Sequence, residues 1–318
     1  MSSRLGFAIV GLGRRAEMHA NSISALAEGY LSAVCSRKMA KALEFSSRHG
    51  NPASYDEVEY LLDDRYVDVA VLTAPPYRNL EIASMIIRSG RSLIIDSPLE
   101  VNAEKLSKLL SMAEEEGVFI SSPISYAAHP LYRDVRDIIE SGIIGKVRKV
   151  TLGISRNMAT SIEASTWRND KSVAGGGVLL HVCYPYLVYF ASLFGEGSVL
   201  SYSGDSFECE RRAKLEAEYG HSIHLSLDAS LISDRTLPDS LSIIGANGEI
   251  HILGHDSAEV HTQNGIQTII HPSSLDTFYG NYLSSIENGT ALELEPDDLI
   301  AAMRIIDESY RIQPEKNQ

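Results

Sequence analysis

The sequence is poor in cysteine and in positive charge. Its three cysteines are Cys35, Cys183 and Cys209, and none belongs to a CxxC pair. This scarcity excludes a disulfide framework and a cysteine-based zinc site. The 28 basic and 42 acidic residues give a net charge of −14, which disfavours binding to nucleic acid or to an anionic membrane. With 318 residues, 44% of them hydrophobic, the chain is long enough for two soluble domains.

The amino terminus also lacks the apolar stretch and small-residue cleavage site of a signal peptide, so we expect a cytoplasmic protein. Residues 172–195 contain no charged side chain over the length that a membrane helix needs. Their glycines, together with Pro185 and His181, favour a helix buried in a protein core. We therefore expect neither a membrane nor a nucleic acid as a partner.

The first third of the chain alternates short apolar runs with amphipathic helical patterns, which is typical of a parallel sheet covered by helices. Strands are predicted at 7–10, 31–35, 69–72 and 93–95, and helices at 16–27, 39–49, 81–88 and 103–116. The fold class is therefore α/β, with an N-terminal Rossmann domain predicted over residues 1–122.

Residues 123–318 follow a different pattern. Alternating apolar and polar residues at 223–227 and 241–244 predict strands, and Asn247-Gly248 predicts a tight hairpin turn. Helices are expected near 131–141 and 296–310, the latter with Pro296 at its first position. This half is predicted to be an α+β domain with a mostly antiparallel sheet.

A glycine motif follows the first predicted strand. Gly11-Leu12-Gly13-Arg14-Arg15-Ala16 stands between a strand and a helix, and it matches the dinucleotide-binding fingerprint with alanine at the third small position. The motif requires a tight turn at Gly11 and no side chain at Gly13, so that backbone amides can approach a pyrophosphate at the positive end of the helix.

The second strand ends in Ser36-Arg37-Lys38, where an acidic residue would normally bind the adenosine ribose. A hydroxyl followed by two cations suits a 2′-phosphate, because charge-assisted hydrogen bonds favour the anion. We therefore expect NADP(H) in preference to NAD(H). The alternative is that these charges are solvated side chains at a helix start.

With this fingerprint, four further motifs make the chain resemble the Gfo/Idh/MocA oxidoreductase family. They are the run from Thr73 to Asn79, the stretch Asp96-Ser97-Pro98-Leu99, the glycine triplet 175–177 and the SGxxG pattern of 141–145. The resemblance implies a C-terminal domain with a large open sheet, which often forms the oligomer interface. It also implies a homo-oligomer, a dimer or tetramer, that oxidises or reduces a sugar, polyol or related small molecule at a CH–OH or carbonyl group.

Several positions depart from the family pattern. Ser97 replaces the lysine that lies near nicotinamide and substrate in the family, and Asn79 replaces a histidine. His181 and Pro185 stand where the family usually has aspartate and histidine. A serine cannot supply an ammonium group, and an asparagine amide cannot accept and release a proton near neutral pH as an imidazole does.

Two interpretations follow from these departures. In the first, the protein is still an oxidoreductase, with His181 as the acid or base of hydride transfer and Tyr184, one helical turn later, as its proton relay. In the second, it is a catalytically degenerate NADP(H)-binding sensor or assembly protein. In the second case, His181 is a core residue of a buried helix, and its ring donates a hydrogen bond to a backbone carbonyl.

The predicted site residues follow from the motifs and the resemblance. For cofactor binding they are Gly11, Gly13, Arg14, Arg15, Ser36, Arg37, Lys38, Ala74, Pro75, Asn79, Asp96, Ser97 and Pro98. For the substrate they are Tyr126, His129, Trp167 and Arg168.

No metal site is predicted. His251, His255, His261 and His271 are close together in sequence but lack the helical i,i+4 spacing of a zinc-binding pair, and hairpin strands are expected to spread them apart.

Overall fold

The computed structural model describes residues 4–123, 129–163, 167–205, 208–220, 222–271, 275–288 and 295–312. The chain forms two compact units. Unit 1 comprises Met1–Ile124 and Ser274–Leu294, and unit 2 comprises Ser125–Ser273 and Glu295–Gln318. The sequence had suggested one division near residue 122. The structure instead returns the segment 274–294 to the first unit.

Unit 1 contains a parallel sheet of six strands in the order β3-β2-β1-β4-β5-β6. The strands are β1 (Leu5–Val10), β2 (Gly29–Cys35), β3 (Ala53–Tyr55), β4 (Val69–Leu72), β5 (Ser92–Ile95) and β6 (Ile120–Ser121). β1 and β4 are apolar and buried on both faces, as expected for strands covered by helices on two sides. The predicted Rossmann domain is therefore confirmed.

The helices of unit 1 are α1 (Arg14–Ser24), α2 (Met39–Arg48), α3 (Val58–Leu62), α4 (Asn79–Arg88), α5 (Ala103–Glu115) and, from the end of the chain, α10 (Leu275–Asn288). Tyr279 and Tyr282 of α10 are fully buried in the same apolar cluster as Phe7 and Ile9 of β1. α10 therefore completes the core of unit 1, which explains why it belongs there.

Unit 2 contains a sheet of eight strands in the order β14-β13-β12-β11-β7-β10-β9-β8. The strands are β7 (Lys149–Ser155), β8 (Gly197–Gly204), β9 (Arg212–Tyr219), β10 (Ile223–Ser230), β11 (Ser240–Ile244), β12 (Gly248–Leu253), β13 (Ser257–Thr262) and β14 (Gly265–Ile270). Within it, β10 pairs with β7 in parallel, and the other pairs are antiparallel. The predicted fold class is thereby confirmed.

One face of this sheet is apolar and the other is polar. In β10, for example, Leu225, Leu227 and Ala229 are buried, whereas the alternate residues are not. The helices of unit 2 are α6 (Pro130–Glu140), α7 (Ala159–Glu163), α8 (Lys171–Ala174), α9 (Tyr184–Phe194) and α11 (Pro296–Ile312). α11 packs against both α9 and β8.

Among the described residues, one helical stretch, Lys171–Phe194, is long and apolar enough to cross a membrane. Its most apolar window is 67% buried inside the protein, and seven residues of α9 lie in the core. This burial agrees with the prediction of a core helix made from its glycines and from His181.

Candidate active site

The glycine turn after β1 has the geometry that dinucleotide binding requires. Gly11 has a φ of +93°, and a Cβ built on it would lie 2.7 Å from the backbone nitrogen of Ala74. The backbone N–H of Gly11 donates to the carbonyl of Cys35 at 3.0 Å, and the Thr73 hydroxyl donates to the carbonyl of Gly11. The tight turn predicted at Gly11 is therefore fixed by the ends of β2 and β4.

Gly13, by contrast, faces open space. It is the N-cap of α1, no side chain caps the helix, and no atom lies within 4 Å of the position that a Cβ would take. The first N–H groups of α1, including those of Arg14 and Arg15, have no partner within the helix. They and the positive end of the helix dipole face a space suited to a pyrophosphate, so the residues present fit a dinucleotide.

The remaining predicted cofactor residues of unit 1 lie at the same edge of the sheet, because the carboxyl ends of parallel strands meet there. Ser36 directly follows β2, and the exposed Arg37 and Lys38 come next. Carboxylates follow the neighbouring strand: Asp56 and Glu57 lie close enough to help raise the pKa of the Cys35 thiol to about 12, although burial is the larger cause.

Arg15 is held in place by an ion pair with Asp96, which follows β5. Its Nε and Nη2 atoms donate to the two carboxylate oxygens at 2.6 and 2.7 Å. His19 lies one turn further along α1, with Nε2 at 4.0 Å from Asp96 and Nδ1 at 2.7 Å from the Tyr279 hydroxyl. Burial lowers the pKa of His19 to about 4, so the ring is neutral at pH 7. The sequence analysis did not identify His19 or Tyr279.

The loops after β4 and β5 are tied together by an amide. The side chain of Asn79, at the start of α4, donates to the carbonyls of Pro98 and Leu99 at 3.2 and 2.8 Å. Ala74 lies beside Gly11, and Pro75 precedes the short helical turn Pro76–Arg78 that leads into α4. Within the described structure, the Ser97 hydroxyl is buried and makes no hydrogen bond, so the position of the family lysine holds an unsatisfied small polar group.

Glu100 is a second buried group that the sequence analysis missed. Its side chain is 1% exposed, and Oε2 accepts a hydrogen bond of 3.3 Å from the backbone of Val101. Oε1 has no partner among the described residues. Burial raises the pKa of Glu100 to about 7, opposed by backbone hydrogen bonds from Val101 and Leu80 and by the charge of Lys105.

In unit 2, the glycine triplet is closely packed. A Cβ on Gly176 would lie 2.2 Å from the Tyr310 hydroxyl, and one on Gly177 would lie 1.9 Å from the carbonyl of Glu210. The buried Glu210 carboxylate accepts from the backbone of Gly177 at 2.9 Å, from that of Leu179 at 3.0 Å and from Tyr310 at 2.9 Å. Glu210 thus anchors the turn from which the next helix starts.

His181 lies in a π-helical turn, Leu179–Cys183, that leads into α9. Its Nε2 lies 3.1 Å from the carbonyl of Ala174, and its ring meets that of Trp167 edge to face, with centroids 5.6 Å apart. Burial, with the charge of Arg168, lowers its pKa to about 4, against the opposing effect of backbone hydrogen bonds. The ring is therefore neutral at pH 7 and is hydrogen-bonded to the last residue of α8, just before the glycine triplet.

Tyr184 is fully buried, and its hydroxyl donates to the carbonyl of Leu299 in α11 at 3.2 Å. Burial raises its pKa far above the ordinary value. In this position the phenol connects α9 to α11. The proton relay expected for Tyr184 stays a prediction, and the structure provides no contact between its hydroxyl and His181.

The predicted substrate residues of unit 2 fall into two groups. The Arg168 guanidinium lies over the Trp167 ring at 4.4 Å, and Trp167 in turn contacts His181. His129 is at a different place, where its Nδ1 accepts from the backbone of Leu131 at 3.1 Å and caps α6. Tyr126 lies outside the described residues.

The four clustered histidines are only partly spread by the hairpins. His271 pairs with Asp134 at 2.8 Å, and His255 lies 3.6 Å from Asp239. His251 and His261, however, come together, with ring centroids 5.1 Å apart. The expectation that strands would separate all four is therefore wrong for this pair, because β12 and β13 are neighbours and both side chains lie on the same face.

Comparisons with known proteins agree with this architecture. Residues 132–251 match the GFO/IDH/MocA C-terminal domain, and residues 5–122 match the oxidoreductase family with an NAD-binding Rossmann fold. An oxidoreductase of Formosa agariphila is 24% identical over 200 residues, 62% of either chain. The trans-1,2-dihydrobenzene-1,2-diol dehydrogenase of Bos taurus is 24% identical over 225 residues, 70% of this chain and 65% of that protein. These matches therefore span less than two thirds of the length of either relative.

Solved structures share the fold over nearly the whole chain. A levoglucosan dehydrogenase in complex with NADH and levoglucosan has a TM-score of 0.87 at 16% identity, over 98% of both chains. A 3-ketoreductase from Actinomadura kijaniata in complex with TDP-benzene and NADP has a TM-score of 0.82 at 14% identity, again over 98% of both. The two domain matches, in the order and at the positions of the two observed sheets, show that this chain belongs to the Gfo/Idh/MocA oxidoreductase family.

Proposed function

We propose that this protein is an NAD(P)-dependent oxidoreductase that transfers hydride to or from a sugar, polyol or related small hydroxyl or carbonyl compound. The turn at Gly11 and Gly13 is the observation that carries the proposal. Gly11 is closely packed against Ala74, whereas the space over Gly13 at the start of α1 is open. This combination of a tight turn and an open helix terminus is the arrangement used for a dinucleotide pyrophosphate.

A bound nicotinamide would supply or accept the hydride. The backbone amides at the start of α1 would hold the pyrophosphate. Asp96, directly after β5, holds the Arg15 side chain by two hydrogen bonds. Asn79 fixes the loop that carries Ser97 by donating to the carbonyls of Pro98 and Leu99. These contacts fix the positions of the Arg15 side chain and of the loop that carries Ser97.

NADP(H) is the preferred cofactor in this proposal. Arg37 and Lys38 are exposed beyond the end of β2, and in the described part of the chain no carboxylate forms an ion pair with either. They are therefore available to a 2′-phosphate, and Ser36 can offer it a hydroxyl. Asp56 and Glu57, after β3, would act against this preference by repulsion, so NAD(H) is the alternative.

The substrate would contact Arg168, Trp167 and His181 in unit 2. The ring of Trp167 and the guanidinium of Arg168 form a stacked pair, which suits the apolar face and the hydroxyl groups of a polyol. Neutral His181 donates from Nε2 to the carbonyl of Ala174, so Nδ1, which then carries the lone pair, would accept a proton from a substrate hydroxyl. His181 is therefore a candidate base that is also hydrogen-bonded to the end of α8.

A second function, cofactor binding without turnover, is favoured by the surroundings of three described groups that could have supplied the proton. Ser97 replaces the lysine of the family, His181 is neutral and bonded to a carbonyl, and the Tyr184 hydroxyl is buried against Leu299. A protein of this kind would act as a sensor of NADP(H) or as an assembly partner.

The first experiment is a titration of the purified protein with NADPH and with NADH, followed by the fluorescence of Trp167, the single tryptophan, or by calorimetry. Saturable binding with an NADPH preference is expected. If neither nucleotide binds, both proposed functions are wrong. If binding occurs, NADPH oxidation is measured with a panel of sugars and small carbonyl compounds, and turnover distinguishes the enzyme from the sensor.

The role of His181 is tested with His181→Asn in the same assay. If His181 transfers the proton, the turnover number falls by about 10²- to 10⁴-fold while NADPH binding is unchanged. The control is His224→Asn, which removes a partly exposed imidazole from β10 of the unit 2 sheet and should leave turnover and NADPH binding unchanged. Full activity of His181→Asn would exclude the catalytic role and leave the positioning role.

Two expectations from the sequence complete the proposal. The three cysteines are buried and unpaired, which supports a reducing compartment such as the cytoplasm. The resemblance to the family also implies a homo-oligomer formed through the large sheet of unit 2. Analytical ultracentrifugation of the purified chain tests the second expectation.

A further inference from the structure

The polar face of the unit 2 sheet carries a compact group of histidines and carboxylates that the proposed oxidoreductase function does not use. On neighbouring strands β12 and β13, Glu249 is paired with His261, and His251 is paired with Glu259. Residues directly opposite each other in an antiparallel pair, and residues two apart on one strand, project from the same face. The four side chains therefore form a square in which histidine and glutamate alternate.

Three of these side chains approach one another closely enough to share one ion. One ligand atom each from Glu249, His251 and His261 lies within 4.8 Å of the other two, and this is the one such group found among the described residues. Each of the three is partly exposed, at 42%, 34% and 32% of its side chain. In the single chain, an ion from solvent can therefore reach all three side chains.

Neighbouring groups already orient both rings. His251 makes a 2.9 Å hydrogen bond through Nδ1 to the Ser242 hydroxyl on β11, and its Nε2 lies 3.1 Å from Glu249. His261 Nε2 lies 3.0 Å from Glu259. A metal-binding histidine typically bonds its other nitrogen to a hydroxyl, carbonyl or carboxylate, which fixes the ring and strengthens the ligand. Ser242 and Glu259 are placed to do this for His251 and His261.

We propose that Glu249, His251 and His261 form a binding site for a divalent transition-metal ion, with Zn²⁺ as the best-suited ion. Two imidazoles and one carboxylate are a ligand set that Zn²⁺ accepts, with a fourth position left for water or another ligand. The set lacks the many oxygen ligands that Ca²⁺ or Mg²⁺ requires. The strands hold the ligands on a rigid surface, so binding requires only small side-chain movements.

Zinc binding is measured by calorimetry on the metal-free full chain, with ZnCl₂ as the titrant, and Co²⁺ is used as a spectroscopic probe of the coordination geometry. One saturable Zn²⁺ per chain is expected. The single variants His251→Ala and His261→Ala should each weaken it by at least about 10- to 100-fold, since even outer-sphere partners contribute that much. Ser242→Ala, which keeps all three ligands, should weaken it by about tenfold.

The matched control is His224→Ala. His224 lies on the same face of the same sheet, on β10, with Nε2 2.7 Å from Glu216, and its side chain is 45% exposed. Among the described residues it belongs to no group of three potential metal ligands. The proposal requires that this variant bind Zn²⁺ like the wild type. Equal affinity in wild type and in the double variant His251→Ala/His261→Ala would overturn it, as would an equal loss in His224→Ala. Circular dichroism shows whether each variant is folded. NADPH binding, which is proposed to take place in unit 1, should be unchanged and is a second check of the fold.

Discussion

Gly13 of unit 1 and the last two glycines of the unit 2 triplet have opposite surroundings. In unit 1, the position that a Cβ on Gly13 would occupy has no atom within 4 Å. In unit 2, the corresponding positions of Gly176 and Gly177 are already filled by Tyr310 and by the backbone of Glu210. A glycine-rich turn next to empty space indicates a place for a ligand, whereas one next to protein atoms indicates close packing. The two turns look alike in sequence, and the surrounding atoms distinguish them.

Their buried carboxylates differ in the same way. Glu210 in unit 2 receives two backbone N–H groups and the Tyr310 hydroxyl. Glu100 in unit 1 interacts with the backbone N–H groups of Val101, at 3.3 Å from Oε2, and of Leu80, and within the described structure its Oε1 makes no hydrogen bond. Burial raises the pKa of both groups. One carboxylate is thus part of a satisfied hydrogen-bond network, while the other is incompletely satisfied.

The largest effect is expected for Gly177→Ala. The added methyl group would lie 1.9 Å from the carbonyl of Glu210, and because both partners are backbone, neither can move aside cheaply. We expect a loss of more than about 4 kcal/mol in the free energy of unfolding, or no soluble protein. Urea denaturation measures it. A loss below about 1 kcal/mol would show that the triplet is not closely packed.

The next largest effect is expected for Glu210→Gln, and the matching variant Glu100→Gln should change the stability in the opposite direction. At position 210 an amide NH₂ would face backbone N–H donors, so we expect a destabilisation of about 3 kcal/mol. At position 100 the amide removes a carboxylate whose ionisation is unfavourable, so the protein should become more stable at pH 8. Urea denaturation at pH 8 gives the change in the free energy of unfolding for each variant. Changes of opposite sign would confirm the comparison, and changes of the same sign would refute it.

The pH dependence makes this prediction more specific. The pKa of Glu100 is raised from 4.5 to about 7 by folding, so the unfolded chain releases this proton first as the pH rises. Glu100 therefore lowers the free energy of unfolding between about pH 4.5 and pH 7, by up to roughly 3 kcal/mol. His19 and His181, with pKa values near 4, act in the opposite direction below pH 6.5. The difference between wild type and Glu100→Gln isolates the carboxylate.

A smaller change in stability but a clear change in binding is expected for Gly13→Val. Gly13 has extended backbone angles, φ −103° and ψ −168°, which valine adopts readily, and space is available. The free energy of unfolding should change by less than about 1 kcal/mol. NADPH affinity should nevertheless fall by roughly tenfold or more, because the isopropyl group occupies the approach of the pyrophosphate. Unchanged affinity would mean that the open space is not a ligand position.

The most selective effect is expected for Arg37→Ala, which should change the affinity for one cofactor and not for the other. Loss of a charge-assisted hydrogen bond of about 1.5 to 3 kcal/mol corresponds to roughly 10- to 100-fold weaker NADPH binding. NADH binding should not change, and Arg14→Ala is a control for general loss of positive charge at this edge. An unchanged ratio of the two dissociation constants would contradict the NADP(H) preference.

The sequence allowed the Rossmann sheet, the glycine turn and the antiparallel sheet to be predicted, because each depends on local periodicity or on a short motif. It did not reveal what surrounds the motifs. The contact of His19 with Tyr279 spans 260 positions, and that of Gly177 with Glu210 spans 33. No local pattern predicts such pairings, since they depend on how distant elements pack.

The histidine pair on the unit 2 sheet shows the same limit. Spacing alone could not indicate that His251 and His261 share a face, because that depends on the register between β12 and β13. The Asn247-Gly248 turn was recognised, but the register of the next hairpin was not. A two-residue error in that register would have placed His261 opposite a different residue.

The return of α10 to unit 1 has a consequence for biosynthesis. The core around Phe7 and Ile9 includes Phe278, Tyr279 and Tyr282, so the first strand made must wait for one of the last helices before its apolar environment is complete. Contacts between such distant parts of a chain form slowly and leave apolar surface exposed during synthesis. A nascent chain that stops before Leu275 would therefore contain all six strands of the unit 1 sheet but lack the helix that covers part of its core. Its early strands would depend on chaperones until the carboxyl-terminal residues emerge.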